Sequence, residues 1–304
     1  MIHGIVTPMV TPLIDSNTID TEHLHKLIDH LIAGGVSGIF LMGTTGEGAS
    51  MTTAMQRSLV AEATAYVDGR VPVLVHVADT CLARSIELAR YAADCGASYL
   101  VAALPYYFGL TQAEIERYYT MLADAAPLPL FLYNIPAQTK LMMSVDTVHR
   151  LAAHPNIIGI KDSSGNGTYY NTLLAEVKAD YPDFTVMVGP DEMLASTMAV
   201  GGDGGVNSGS NLFPELYTAL YTACRAGERE RILDLQALVM KVSTLIYSVD
   251  PSPVSFMKGL KAAMSSRGLI ANVVAAPLTP VSDADYRRIA DNTARIADMI
   301  QHTL

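Results

Sequence analysis

Asn156-Ile157-Ile158-Gly159-Ile160-Lys161-Asp162-Ser163-Ser164-Gly165 is a short apolar run that ends on a lysine and then breaks into a polar, glycine-bearing turn. Its apolar residues are continuous rather than alternating, as in a strand buried on both faces. Similar runs occupy residues 4–6, 38–42, 71–77, 99–104, 130–133, 185–188 and 204–206, with 157–160 the sixth in chain order. The first and last are short and glycine-rich, and take their assignment from their place in the series.

Between these runs lie helical patterns at 20–33, 52–68, 80–94, 111–125, 144–153, 167–180, 191–200 and 212–226. Gly34 and Gly35 stop the first. Thr80, Thr111 and Ser144 stand at N-cap positions. Eight strand–helix units of roughly 25–30 residues match a TIM barrel. A doubly wound open sheet is the competing architecture. The count of eight, and the lack of a dinucleotide fingerprint after the first run, favour an α/β fold, a (β/α)8 TIM barrel over residues 1–226. Beyond it, 228–247, 252–266 and 282–303 look helical, separated by Pro251, Pro253, Pro277 and Pro280. Residues 227–304 therefore read as a C-terminal helical extension packed on the barrel.

Half of the 304 residues are hydrophobic and 16% are charged, which excludes a disordered chain. A net charge of −10 without a basic run argues against nucleic acid or an anionic membrane as partner. The N-terminus lacks a signal-peptide pattern, and no stretch approaches the roughly 18 apolar residues of a membrane span. Cys81, Cys95 and Cys224 are far apart and read as thiols of a reducing compartment. A soluble, cytoplasmic protein is expected.

Catalytic residues of a barrel sit at the C-terminal ends of strands and in the loops that follow. Lys161 is one. A lysine at an apolar rim loses hydration, which favours its neutral, nucleophilic amine; a solvated lysine at a strand end is the plainer alternative. Gly43-Thr44-Thr45-Gly46-Glu47-Gly48 follows the second run and suits an anion nest for a carboxylate or a phosphate, or a simple tight turn. Tyr133-Asn134-Ile135-Pro136 ends the fifth run, where Tyr133 is either a proton shuttle or a core-edge aromatic. Tyr106-Tyr107 after the fourth run suits a site or a subunit contact. Gly189-Pro190-Asp191-Glu192 and the loop through Val206 and Ser208 follow runs seven and eight. The Asp191-Glu192 pair suits polyol hydroxyls or helix capping. His23 and His25 face different directions and His76 reads as a satisfied barrel residue, so no metal is expected. No nicotinamide, flavin or P-loop signature appears, so no cofactor is expected.

Gly43-Thr44-Thr45-Gly46-Glu47, Tyr106-Tyr107, Tyr133-Asn134-Ile135-Pro136 and Gly159-Ile160-Lys161-Asp162, in this order, resemble the pyruvate-dependent class I aldolases that include dihydrodipicolinate synthase and N-acetylneuraminate lyase. The resemblance covers essentially the whole chain. It implies that Lys161 forms an imine with pyruvate and that Thr44 and Thr45, with the nest amides around Gly43 and Gly46, hold its carboxylate. It further implies that Tyr133 is the general acid and base and that Tyr107, supplied by a neighbouring subunit of a homotetramer built as a dimer of dimers, completes a relay through Thr44. Dihydrodipicolinate synthases carry an arginine where this chain has Gln138, and a glutamine cannot form that bidentate ion pair. Gly189, Asp191, Glu192 and Ser208 look similar to the sugar-binding positions of N-acetylneuraminate lyase, although that enzyme usually has Ser-Thr in place of Thr44-Thr45. The expected reaction joins or releases pyruvate and an aldehyde, with a 2-keto-3-deoxy sugar acid favoured. The alternatives are condensation with aspartate semialdehyde and a barrel that only binds a sugar acid.

Overall fold

The computed structural model describes residues 2–304. Its barrel strands are β1 (Gly4–Pro8), β2 (Gly38–Leu41), β3 (Val73–His76), β4 (Tyr99–Ala103), β5 (Leu130–Asn134), β6 (Ile157–Asp162), β7 (Thr185–Val188) and β8 (Gly204–Gly205). All pairings are parallel, each strand lies beside its successor, and β8 returns to β1. The closed ring leaves no sheet edge, so the architecture is the (β/α)8 barrel and not the open sheet.

All eight runs read from the sequence become barrel strands. β5 and β6 run one residue past Tyr133 and Lys161, to Asn134 and Asp162, and Lys161 lies at the C-terminal end of β6 as expected. A two-stranded hairpin, Leu13–Asp15 with Thr18–Ile19, was not foreseen, since its strands are too short to show a period. Thr111 and Ser144 cap their helices as expected, Thr111 in a capping box with Glu114. Thr80 does not. Its helix starts at Leu82 behind Cys81, because the Asp79 carboxylate accepts from the Cys81 N–H at 2.8 Å and holds Thr80 in the preceding turn.

Side chains alternate across the barrel wall. Val6, Phe40, Leu74, Val101, Phe131 and Met187 fill the interior, while neighbours such as Leu41 and Leu132 face the helices. Gly159 is required by Phe131, whose ring would lie 2.5 Å from a Cβ at that position. The two-residue β8 closes the barrel by close backbone approach. A Cβ on Gly204, at φ +154°, would meet the Gly4 carbonyl oxygen at 2.0 Å.

The extension comprises α1 (Arg229–Val242), α2 (Ser255–Ser266) and α3 (Asp283–Thr303). Residues 257–264 of α2 are buried, so this helix is enclosed on every side. Its Lys261 is fully buried and paired with Glu47 of the β2 loop.

Gly204→Ala should cost roughly 2–5 kcal/mol, since the clash is with backbone that cannot step aside. Urea denaturation measures this. A loss below 1 kcal/mol would mean that the β8–β1 seam is slack, contrary to the close approach described.

Candidate active site

Alternation inside β6 carries Lys161 to the top of the apolar interior. Its side chain is 6% exposed. Nζ stands 4.1 Å from the centre of the Tyr133 ring and 5.2 Å from that of Phe40. No salt bridge reaches Lys161 among the described residues, so its amine is not committed to a carboxylate. Beneath it, Phe40, Leu74, Val101, Phe131, Met187 and Val206 close the floor. Register places Tyr133 beside Lys161 and Asn134 beside Asp162. Asn134 Nδ2 donates to Asp162 Oδ1 at 2.8 Å, which fixes the two strand ends together.

Tyr133 Oη lies 3.3 Å from Thr44 Oγ1, and Thr45 Oγ1 lies 2.9 Å from Ser208 Oγ. The N–H groups of Thr44, Thr45 and Gly46 meet no acceptor in the chain among the described residues. Unpaired N–H groups in a tight turn, with hydroxyls beside them, suit an anion. Left-handed Met42 (φ 60°) and Glu47 (φ 57°) bracket the turn and hold it in a conformation that non-glycine residues rarely adopt.

His76 is the satisfied barrel residue expected of it. Its Nε2 accepts from the Ala103 N–H at 3.3 Å, and its ring packs edge-on to Phe40 and Tyr133. Burial pushes its pKa down to about 4; the Lys161 charge adds to this, and a hydrogen bond with the Met42 backbone opposes it. His76 is therefore neutral at pH 7.

The residues read as acceptor contacts fall in different places. Asp191 is buried, and its oxygens accept from Ser208 N (2.9 Å), Gly209 N (2.9 Å), Tyr217 Oη (2.6 Å) and Tyr247 Oη (2.7 Å). One of these donors meets Oδ1 and three meet Oδ2, so burial and internal hydrogen bonds commit this carboxylate to the fold. Ser208 faces Thr45. Glu192 is exposed and accepts from Ser243. Gly189 serves packing, since a Cβ there would meet Ser163 Oγ at 2.0 Å. Val206 is on the floor. Gln138 is half-buried, and its side-chain amide has no partner among the described residues. Tyr107 is 77% exposed beside Phe108 and makes no hydrogen bond to Thr44 within the chain. Phe40, which faces the lysine, gave no signal in sequence beyond a core aromatic.

A buried lysine without an ion-pair partner, held against a tyrosine and close to an anion nest at a barrel mouth, defines a class: lyases that work through an imine. Comparison with known proteins makes the class particular. A model of the dihydrodipicolinate synthetase family matches residues 1–295. A probable 2-dehydro-3-deoxy-D-pentonate aldolase of Escherichia coli is 36% identical over 256 residues, covering 84% of this chain and 85% of that one. The solved dihydrodipicolinate synthase of Bacteroides thetaiotaomicron aligns at TM-score 0.93 and 41% identity, over 97% of this chain and 98% of its own. A prophage protein of the dihydrodipicolinic acid synthase family from Escherichia coli, solved in complex with pyruvate, aligns at 0.92 and 30% identity over the same shares. The chain belongs to the dihydrodipicolinate synthetase family. It is a pyruvate-dependent class I aldolase or lyase.

The His76 environment has a pH signature. The unfolded chain protonates this group near 6.5 and the folded chain only near 4. Between those values the unfolded state binds more protons, so stability falls as pH drops through the window. His76→Asn should reduce the stability lost between pH 7 and pH 5 by about 1–2 kcal/mol relative to wild type. Equal losses in urea titrations of the two proteins would remove His76 as the cause.

Proposed function

We propose that Lys161 is the imine-forming lysine and that the second substrate is a polyhydroxylated aldehyde, so that the chain makes or cleaves a 2-keto-3-deoxy sugar acid. The observation that carries the first part is the unpaired Lys161 amine against Tyr133, whose hydroxyl lies 3.3 Å from Thr44. In this reading the amine adds to C2 of pyruvate and water leaves, giving an iminium. A methyl proton then departs and an enamine forms. Its carbon bonds to the aldehyde carbon, Tyr133 protonates the resulting alkoxide, and water releases the product and Lys161. Cleavage is the reverse. Thr44, Thr45 and the loop amides hold the pyruvate carboxylate, which orients C2 toward the amine.

For the acceptor, the neutral Gln138 and the likeness to a probable 2-dehydro-3-deoxy-D-pentonate aldolase favour a sugar acid. Gln138 has an unpaired amide to offer a hydroxyl, whereas Asp191 and Ser208 are engaged elsewhere. Condensation with aspartate semialdehyde is the second reading, favoured by the 41% identity to a dihydrodipicolinate synthase. The exposed Tyr106, Tyr107 and Phe108 suit a subunit contact, which supports a homotetramer in which Tyr107 reaches a neighbour's Thr44. Three unpaired cysteines fit a cytoplasmic setting.

Borohydride with pyruvate should add a reduced pyruvyl group to wild type and none to Lys161→Ala. A mass spectrum without the adduct on wild type would sink the imine. Tyr133→Phe should lower kcat by about 10²–10³-fold while adduct formation persists. A substrate panel decides the acceptor: pyruvate release from keto-deoxy sugar acids is expected to exceed aspartate semialdehyde consumption. Gln138→Arg should raise the latter, and a folded variant without that gain would show that Gln138 does not set the preference.

A further inference from the structure

Two buried carboxylates stand beside the carboxylate nest, and each accepts from the C-terminal extension. Glu47 is the last nest residue before Gly48. Its Oε2 accepts from Lys261 Nζ, and its Oε1 accepts from the Ala275 N–H at 2.7 Å. Lys261 also donates to the Val273 carbonyl at 2.8 Å. The Glu47–Lys261 contact spans 214 residues of sequence, and neither side chain is more than 1% exposed. Asp191 holds the opposite wall. Its two backbone donors, Ser208 and Gly209, begin the turn whose Ser208 hydroxyl meets Thr45. Tyr247, from the end of the helical segment that continues α1, closes this carboxylate from outside the barrel.

The nest itself is conformationally tight. Glu47 is left-handed. A Cβ on Gly48 would meet the Met42 carbonyl oxygen at 2.1 Å, and one on Gly46 would meet that of Met9 at 2.8 Å. Such a turn persists only where its surroundings over-determine it. Lys261 pairs with Glu47, and Tyr217 and Tyr247 hold Asp191, so each carboxylate has a fixed place beside the turn.

We propose that Glu47 and Asp191 are positioning residues, through which Lys261 and Tyr247 of the extension set the geometry and charge of the pyruvate-carboxylate nest. This rests on the aldolase reading above. It gives Asp191 a part in the pyruvate half of the site, and it makes the extension part of the active site.

The test is the pyruvate dependence of borohydride trapping and of turnover in folded variants. Tyr247→Phe removes one of four donors to Asp191 and should raise half-saturating pyruvate by about 3- to 10-fold, with kcat changed less than about 3-fold. Lys261→Met strands the Glu47 charge and should raise it by more than about tenfold. The double variant Glu47→Gln/Lys261→Met replaces the pair with neutral groups of similar shape and should recover part of that loss. This pattern supports positioning. Unchanged pyruvate half-saturation in folded Tyr247→Phe and in the folded double variant overturns it, even where the melting temperature falls. If Lys261→Met does not fold, the other two variants still decide. Wild type that traps no pyruvate overturns the aldolase reading itself, and the positioning role with it; wild type that traps pyruvate keeps the two failures separate.

Discussion

Closure of the barrel at Gly4 and Gly204 is the constraint on which the mouth depends. β8 has two residues, and the seam forms because backbone meets backbone with no Cβ between. Once it forms, residues far apart in sequence become neighbours. Thr45 and Ser208 are 163 positions apart and touch through their hydroxyls. Thr7 and Ser210, 203 apart, do the same at 2.8 Å, and Asn211 binds the Val10 N–H and the Pro8 carbonyl. These contacts tie the β1 and β8 loops into one wall of the nest. A looser seam would leave Ser208 without a fixed height relative to Thr45.

Inside that ring, alternation does the rest. Gly159 yields its space to Phe131, and two residues on, Lys161 rises above the apolar floor. Placing an amine there sets it on an apolar floor, 6% exposed and away from any carboxylate. Phe40 and Tyr133 offer ring faces to the ammonium without neutralising it. The result is an amine with no competing partner, close to unpaired N–H groups suited to a carboxylate. Fixing a substrate at two points in this way lowers the barrier through orientation.

Strand runs were legible because each is a continuous apolar segment, and Lys161 because it interrupts one. The nest was legible from its glycines and hydroxyls. The Leu13–Ile19 hairpin was not, since two or three residues carry no period. Thr80 failed as a cap because Asp79 accepts from the Cys81 N–H and holds Thr80 in the turn before the helix. Asp191 and Glu192 illustrate the deeper limit. Adjacent carboxylates in a loop look alike in sequence, yet one is enclosed by Tyr217 and Tyr247 and the other is exposed. Their side-chain partners lie 26 to 56 residues away in chain elements whose position no local pattern encodes. Lys261 is the same case at greater range: on α2 it reads as an ordinary helical lysine, and only the fold brings it to Glu47.

The two halves of the site are consequently built to different stiffness. In the proposed reading the pyruvate half is held by β-strand register, by Glu47 and Asp191, and by contacts as far as 228 residues apart in sequence. Changing it disturbs buried charges, which proteins tolerate poorly. In the proposed reading the acceptor half lies on the short segments after β5 and β7. Gln138 sits in the short turn after β5, half-buried with its amide unpaired, and Glu192 is exposed in the turn after β7. A substitution at either removes few internal contacts. A rigid end for the common substrate and a loosely tied end for the variable one is therefore what the packing provides. It follows that a shift between a carboxylate-bearing and a hydroxyl-bearing aldehyde needs changes in only a few loop side chains, while the lysine, its aromatic cage and the nest stay as they are.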